Sequence, residues 1–218
     1  MRCEVWIASH FGRGNPQNHR QVLLETLRSL ADQTAITTVR ISLSAVNIDD
    51  PPTDQQMRAC LTTQELIVYR HDQAQLQFDH LRYIHRHFDG SPKTVVMFMD
   101  DDDILLHMPK FDEVPRVAVL QYLPRGQTME EEIIPAAAWK HLTTTRPELF
   151  EIVSDFSGYM CTVADFTNYL ESTKNVHILR KLEDAHFMNY LDSLPHVTPE
   201  PFIGHRLWRS LDEKDWTC

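Results

Sequence analysis

Four consecutive aspartates, Asp100–Asp103, directly follow the apolar run Thr94–Met99. Adjacent like charges repel and a carboxylate at the end of a buried strand loses hydration, so this arrangement is unfavourable without a positive partner. Mg²⁺ and Mn²⁺ prefer oxygen ligands, and one or two carboxylates are enough to hold such an ion beside phosphate oxygens. The cluster therefore predicts a divalent-metal site at Asp100 and Asp102, in which Asp102 is the direct ligand and the other carboxylate can hold a ribose hydroxyl or a metal-bound water. The alternative is a solvated acidic turn that caps the next segment.

A second pair of carboxylates, Glu183 and Asp184, stands at the predicted start of a helix, where the helix dipole stabilises negative charge. An ionised carboxylate at this place could act as a general base that removes a proton from an attacking hydroxyl. Asp184 is the stronger candidate, because the apolar Leu182 and the helix start would fix its direction, while Glu183 could contact an acceptor. The simpler alternative is that both residues only supply charge to the helix start.

Two further segments give weaker signals. In the segment 204–209, the imidazole of His205 could complete a Mn²⁺ site, and Arg206 or Arg209 could hold a diphosphate with paired hydrogen bonds. The segment 12–14, with Arg13 between two glycines, is compatible with a phosphate-binding loop but lacks the endings of the Walker and dinucleotide-binding loops. The alternatives are one loop histidine among the twelve in the chain and a glycine that only serves a turn.

Strand and helix signals alternate along the first half of the chain, which favours an α/β domain with a mainly parallel sheet. In such sheets ligands bind outside the carboxyl ends of the strands, where Asp100–Asp103 fall. Asn15 and Pro16 predict a helix start, and Asp50–Asp54 predicts a surface loop. The predicted strands are Glu4–Ser9, Thr38–Ser44, Leu66–Tyr69 and Val95–Met99, and the predicted helix faces are Leu23, Leu27 and Leu30, and then Leu81, Ile84 and Phe88.

The second half of the chain has less regular signals and predicts a mixed arrangement. Four aromatic side chains there are expected to pack in the core, and the alternative is that they form the floor of a sugar site; they are Trp139, Tyr159, Phe166 and Tyr169. The predicted elements are a strand at Arg116–Tyr122, a short helix at Ala136–Leu142, a strand at Ser154–Val163 interrupted at Gly158, and a helix at Lys181–Leu194 with Leu182, Ala185, Met188 and Leu191 on one side.

Length and charge narrow the function classes. The chain has 218 residues and a net charge of -10, which suits one domain and argues against a general nucleic-acid binder. A bound cation can nevertheless invert the local sign, so a nucleotide ligand stays open. The four cysteines form no CxxC pair, and the sequence has neither an apolar run of roughly 20 residues nor a signal-peptide pattern. We therefore expect a cytoplasmic protein without a membrane span, either whole or one domain of a longer polypeptide.

The order of these motifs resembles the GT-A glycosyltransferases, and among them most closely the large inverting family that contains cellulose and chitin synthases. The resemblance runs through a first strand, a helix ending in LETLRSLADQT, the run VVMFMDDDD, a late LEDAHF and a C-terminal histidine. The run IASHFGRGNPQNHR, with VRISLSAVN and DDDD, is similar to the small GT-A domain of chlorella-virus capsid-glycan glycosyltransferases. The resemblance covers nearly the whole chain, although only the aspartate block and the Glu-Asp pair are specific motifs.

This resemblance implies a single GT-A domain over 1–218, with a nucleotide-sugar-binding half at 1–103 and an acceptor-binding half at 104–218. It implies a Mn²⁺ (or Mg²⁺) ion and a UDP-sugar donor bound at the ends of the first strands. The transferred sugar would be a hexose or a deoxyhexose such as rhamnose, and the acceptor a glycan or glycoprotein, in the host-cell cytoplasm if the protein is viral. The implied roles are donor contacts at Ser9, His10, Arg13, Ser44, Asp100 and Asp101, metal ligands at Asp100, Asp102 and His205, and the general base at Asp184.

The chain also departs from the family pattern. The usual Asp-Asp-x-Ser after the second strand is replaced by Leu43–Asn47, and the usual Gln-x-x-Arg-Trp is absent, although Arg206–Arg209 is similar in character. A processive polymerase would need membrane helices, so an enzyme that transfers one sugar is expected. The alternatives are a nucleotidyltransferase or metal phosphohydrolase, and a metal-binding interaction module without enzymatic activity.

Overall fold

The structure is a computed structural model that describes residues 2–11, 16–45, 51–110, 114–124, 135–154, 157–174 and 183–204. Its main sheet has five strands in the order β3-β2-β1-β4-β8. The first four strands run parallel, and β8 pairs antiparallel with β4. These strands are β1 (Cys3–Phe11), β2 (Ile36–Ala45), β3 (Glu65–His71), β4 (Val95–Asp100) and β8 (Met160–Thr162).

The parallel strands form because their apolar residues are buried on both faces of the sheet. In β4 all five residues before Asp100 are buried, and β1 is similarly enclosed. Continuous apolar runs of this kind are typical of parallel strands covered by helices on both sides. The connecting helices of this half are α1 (Pro16–Leu30), α2 (Asp54–Arg58) and α3 (Gln77–Arg86).

The second half adds a smaller mixed sheet with the strand order β5-β9-β6-β7. Strand β9 pairs antiparallel with β5 and parallel with β6, and β6 pairs antiparallel with β7. This half also supplies β8 to the main sheet, so the two predicted halves share that sheet. The remaining elements are β5 (Ile104–Leu105), β6 (Leu120–Pro124), α4 (Ala136–Thr145), β7 (Phe150–Ser154), α5 (Val163–Thr173), α6 (Glu183–Asp192) and β9 (Ile203–Gly204), with a 3-10 turn at Pro147–Leu149.

Three local predictions need correction. The loop predicted at Asp50–Asp54 is present at residues 51–53 but ends one residue early, because Thr53 and Gln56 form a reciprocal capping box and α2 begins at Asp54. Asp50 lies outside the described residues. The strand predicted at Arg116–Tyr122 is instead β6, shifted toward the C-terminus, and Val117 makes only isolated bridges. The strand predicted over Ser154–Val163 is interrupted at Gly158 as expected, where the backbone has a positive φ of 88°, but it is shorter than predicted. Ser154 is the end of β7, β8 covers only Met160–Thr162, and Val163 begins α5.

The inner face of α6 also differs from the prediction. Phe187 and Leu191 are buried, whereas Ala185 is exposed and Met188 only partly buried. The Phe187 ring packs edge-on against Phe98, with ring centroids 5.4 Å apart. The aromatic ring therefore sets the orientation of the helix, since it buries more apolar surface than alanine or methionine. Leu182 lies outside the described residues.

The four aromatic side chains considered for a sugar floor are core residues. Trp139, Tyr159, Phe166 and Tyr169 are all at most 2% exposed. Among the described residues, no helix is long and apolar enough to cross a membrane.

Candidate metal and nucleotide-sugar site

The four aspartates lie at the carboxyl end of β4, next to the end of β1. From β1 the chain proceeds to β2 and β3 on one side, and β4 lies on the other side. The direction of the strand order therefore reverses between β1 and β4, which is where open α/β sheets bind their ligands. The predicted metal cluster thus falls at the expected crevice of the fold.

Three of the four carboxylates converge. One oxygen from each of Asp100, Asp102 and Asp103 lies within 4.8 Å of the others, and no other such group of possible metal ligands occurs among the described residues. Asp103 is fully buried and Asp102 is 9% exposed. Carboxylates this close repel one another in a poorly hydrated place, and a divalent cation relieves that repulsion. The oxygen-only donor set fits Mg²⁺ or Mn²⁺.

Asp101 has different surroundings from its neighbours. Its carboxylate accepts a hydrogen bond from the Ser9 hydroxyl at 2.6 Å and lies 2.7 Å from His19 Nε2. Its backbone carbonyl accepts a hydrogen bond from the Thr26 hydroxyl at 2.9 Å. Asp101 therefore connects the end of β4 to β1 and α1.

The first aspartate is oriented from two sides. Gln77, at the start of α3, donates its side-chain amide to Asp100 Oδ1 at 2.5 Å. The backbone N–H of Asp100 donates to the Ser157 hydroxyl at 3.1 Å, in the turn that contains Gly158. A Cβ atom on Gly158 would come 2.7 Å from Ile203 Cγ1, so this turn requires glycine for space as well as for its positive φ.

A chain of hydrogen bonds, which we call the histidine–serine network, joins the ends of β1, β2 and β3 to α3. His10 Nδ1 lies 2.7 Å from the Ser44 hydroxyl, which lies 3.0 Å from His80 Nε2. His80 Nδ1 lies 2.8 Å from the Ser42 hydroxyl, which lies 2.7 Å from His71 Nε2. Both ring nitrogens of His80, in the middle of the network, thus have a serine hydroxyl as partner.

The histidine–serine network favours neutral rings. Burial, together with the neighbouring His71 and His10, lowers the pKa of His80 to about 3. Burial also lowers the pKa of His71 from its usual value. A neutral His80 can donate one N–H and accept at its other nitrogen, and two serine hydroxyls match both functions.

The candidate base Asp184 lies in the first turn of α6, where its carboxylate accepts a hydrogen bond from the Ala185 backbone N–H at 2.8 Å. The preceding residue, Glu183, is buried and forms an ion pair with Arg82 of α3. Gln77 and Arg82 are five residues apart on α3, which is about 7.5 Å along a helix axis. The same helix therefore contacts both Asp100 and the start of α6.

The structure brings together some of the predicted site residues. Ser9 contacts Asp101, His10 contacts Ser44, and Asp100 lies beside Asp102. Arg13 and His205 lie outside the described residues, as do Arg206 and Arg209. The predicted roles of all these residues stay predictions.

Sequence reasoning missed the residues that support the aspartates, and two signals could have found them. His19 is polar but recurs with Leu23 and Leu27 at a spacing of four on the apolar face of α1. Ser42 and Ser44 share one face of β2, and both are fully buried. A polar residue at a position that the pattern predicts as buried needs a partner.

Comparison with known proteins supports the fold class. No protein-family model matches the sequence, and no curated protein matches it either. The chain is similar in structure to S. aureus TarS 1-349, with a TM-score of 0.56 and 13% identity over 94% of this chain and 60% of that one. The same protein in complex with UDP-GlcNAc gives a TM-score of 0.55 and 13% identity over 94% of this chain and 58% of that one.

A third similar structure is a 4-diphosphocytidyl-2C-methyl-D-erythritol synthase, with a TM-score of 0.50 and 10% identity over 91% of this chain and 89% of that one. At these identities the similarity establishes the fold alone. The chain has the Rossmann-like GT-A type of α/β fold, in which a mainly parallel sheet is flanked by helices, and the predicted fold class is confirmed. It spans about 60% of the TarS fragment that it matches.

Proposed function

We propose that this protein is a metal-dependent glycosyltransferase that uses a nucleotide-sugar donor. The observation that carries the proposal is the convergence of Asp100, Asp102 and Asp103 at the strand-order reversal of a GT-A-type sheet. The similarity to TarS, which was crystallised with UDP-GlcNAc, supports a UDP-linked donor. The transferred group would be a hexose or a deoxyhexose, with rhamnose a candidate, and the acceptor a hydroxyl of a glycan or glycoprotein.

In this proposal Asp100, Asp102 and Asp103 hold the divalent ion, Mn²⁺ or Mg²⁺, and His205 is the sequence-predicted additional ligand. A bound ion offsets the charge that grows on the leaving diphosphate. The proposed contacts to the donor are Ser9, His10, Arg13 and Ser44. The resemblance to viral capsid-glycan enzymes suggests a viral role in the host-cell cytoplasm, which a search for the acceptor would test.

Asp184 is the proposed general base, which removes the proton from the acceptor hydroxyl as it attacks the anomeric carbon. One displacement without a covalent intermediate inverts the anomeric configuration. The Glu183–Arg82 ion pair supports this role, because it fixes the start of α6 against the helix that also contacts Asp100.

The metal-dependent donor site is tested by thermal unfolding with UDP, GDP, CMP and ATP, each with Mn²⁺ and with a chelator. A ligand at about 100 times its Kd adds about 2.7 kcal/mol of stability, so binding gives a clear shift. We expect a UDP-induced shift that requires Mn²⁺ and that disappears in Asp102→Asn. Asp32→Asn is the matched control, because it removes the same charge from an exposed residue between α1 and β2, at the opposite end of the strands.

Two results would change this assignment. A Mn²⁺-dependent preference for GDP or CMP would keep the enzyme class and correct the donor. The absence of any nucleotide shift in the wild-type protein would contradict the proposed function and favour a metal-binding module.

The base is tested by turnover of the Asp184→Asn variant with a donor that passes the first experiment. We expect turnover to fall roughly 10²–10⁴-fold, because the amide cannot accept the proton. Asp192→Asn, an exposed aspartate at the other end of α6, is expected to keep wild-type turnover. Near-normal turnover in a folded Asp184→Asn protein would remove Asp184 from this role.

A nucleotidyltransferase is the second candidate. The structural alignment covers 89% of the length of the 4-diphosphocytidyl-2C-methyl-D-erythritol synthase, against 60% of the TarS fragment. The products distinguish the two reactions. A glycosyltransferase releases a nucleoside diphosphate, whereas a nucleotidyltransferase releases pyrophosphate.

A further inference from the structure

Asp101 differs from the other three aspartates in the direction of its carboxylate. Its Oδ2 atom receives the Ser9 hydroxyl at 2.6 Å and lies 2.7 Å from His19 Nε2, and the residue is 6% exposed. An ionised carboxylate only accepts hydrogen bonds, so Nε2 of His19 must carry the hydrogen. Two donors from β1 and α1 thus meet at one oxygen of Asp101.

The His19 ring is itself held in place. It stacks on the Phe11 ring with centroids 4.2 Å apart and planes inclined by 10°. His19 is 8% exposed and Phe11 is fully buried. The stacking restrains the plane of the ring and thereby keeps Nε2 beside the carboxylate.

Helix α1 contacts the four aspartates Asp100–Asp103, which we call the aspartate turn, and the strand that follows them. His19 and Thr26 contact the side chain and the carbonyl of Asp101, respectively. Just after the turn, the Leu105 backbone N–H donates to the Ser29 hydroxyl at 3.0 Å. Thr26 and Ser29 reach only the backbone, so His19 is the α1 residue among these three that contacts an aspartate side chain.

We propose that His19 is a positioning residue: it holds the Asp101 carboxylate inward and thereby sets the turn on which Asp100, Asp102 and Asp103 converge around a divalent cation. This inference rests on the proposed metal-dependent function. It assigns Asp101 to support of the site instead of the direct donor contact that the resemblance implies. Partners that orient ligand-bearing segments commonly change metal affinity about 10–100-fold when they are removed.

The experiment is a Mn²⁺ titration of the full chain, followed by the electron paramagnetic resonance signal of the free ion. His19→Leu removes the donor, and we expect it to weaken Mn²⁺ binding at least about 10-fold. His19→Gln places an amide N–H where Nε2 lies, and we expect it to restore binding to within about threefold of the wild type. His85→Leu is the control, because His85 is a partly buried α3 residue that contacts Thr167; it should bind Mn²⁺ as the wild type does.

The outcomes separate the two proposals. If the wild-type protein does not bind Mn²⁺, the proposed metal-dependent function fails, whatever the variants do. If the wild type binds and a folded His19→Leu protein binds equally well, the positioning role is wrong and His19 only stabilises the core. If His19→Leu does not fold, His19→Phe keeps an aromatic ring against Phe11 while removing the donor, and unchanged Mn²⁺ affinity in that folded variant would likewise overturn the inference.

Discussion

The carboxyl edge of the main sheet contains two buried polar regions that are built in opposite ways. In the histidine–serine network around His80, uncharged rings alternate with hydroxyls at hydrogen-bond distance. In the aspartate turn, three carboxylates come within 4.8 Å of one another. A network of neutral donors and acceptors can be satisfied by the protein itself, whereas a group of like charges gains most from a cation. The first region is thus expected to be stable without a ligand, even though its His10 and Ser44 are also proposed donor contacts, whereas the second is expected to need a cation.

The largest expected effect that tests this contrast is the loss of a network hydroxyl. Ser42→Ala leaves the facing nitrogens of His80 and His71 without that partner in a buried place, so we expect a loss of about 3 kcal/mol of unfolding free energy. Because the network is independent of metal, the loss should be equal with Mn²⁺ and with a chelator. Urea unfolding measures it.

The control for this variant is Ser91→Ala, an exposed serine that accepts a hydrogen bond from the Lys93 backbone N–H. It should change stability by less than about 0.5 kcal/mol. A loss in Ser42→Ala that depends on Mn²⁺ would mean that the stability of the network is coupled to the metal, and it would remove the contrast between the regions.

The two regions also differ in how far the sequence predicts them. The aspartate turn is predictable because the apolar run of β4 and the charges after it are adjacent in the chain. The histidine–serine network and the His19–Asp101 contact are not, because their members are far apart: Ser42 and His80 are 38 residues apart, and His19 and Asp101 are 82. Only the finished sheet determines which buried polar side chains meet.

The same limit explains the errors in the second half. The prediction that Ala185 faces inward followed helical spacing, yet Phe187 takes the buried position because it packs against Phe98 in β4, a residue far away in the sequence. The shift of β6 has a similar cause, since its register is fixed by β7 and β9, which follow later in the sequence. Local patterns predicted that these elements exist but not which residues they bury.

An intermediate effect concerns the pH dependence of stability. The pKa of His80 is about 3 in the folded protein, against about 6.5 for an unperturbed histidine. Because the folded pKa is lowered, the unfolded chain binds the proton first as the pH falls. The contribution of neutral His80 to the free energy of unfolding is present above about pH 6.5 and is lost as the pH falls from about 6.5 to 3. Between pH 7 and pH 5 the loss from this residue is about 2 kcal/mol.

Urea unfolding of the wild type and of His80→Gln at both pH values measures this contribution. The glutamine variant cannot take up the proton, so its stability should fall by about 2 kcal/mol less over the same interval. His71 and His85, whose pKa values are also lowered by burial, remain in both proteins and cancel in the comparison. Identical pH profiles would show that the folded protein does not hold His80 neutral. The contrast between a neutral network and a charged aspartate turn would then be wrong.

The smallest effect is the most diagnostic one, because its sign reverses between two conditions. Asp102→Asn removes one of three converging carboxylates while keeping the size of the side chain. Without metal the repulsion among them is reduced, so the variant should be more stable than the wild type by about 1 kcal/mol, or about 2–4 °C in Tm for a chain of this length. With saturating Mn²⁺ the order should reverse, since the wild type gains binding energy that the variant lacks.

Thermal unfolding in chelator and in Mn²⁺ gives both signs from one pair of proteins. If Asp102→Asn is less stable than the wild type in chelator as well, the carboxylate is satisfied within the protein, as the hydroxyls of the histidine–serine network are. The two regions would then be the same kind of structure. A gain in chelator and a deficit in Mn²⁺ would mean that the turn gives up stability in the free protein for the ion, the relation expected when a site is selected for binding.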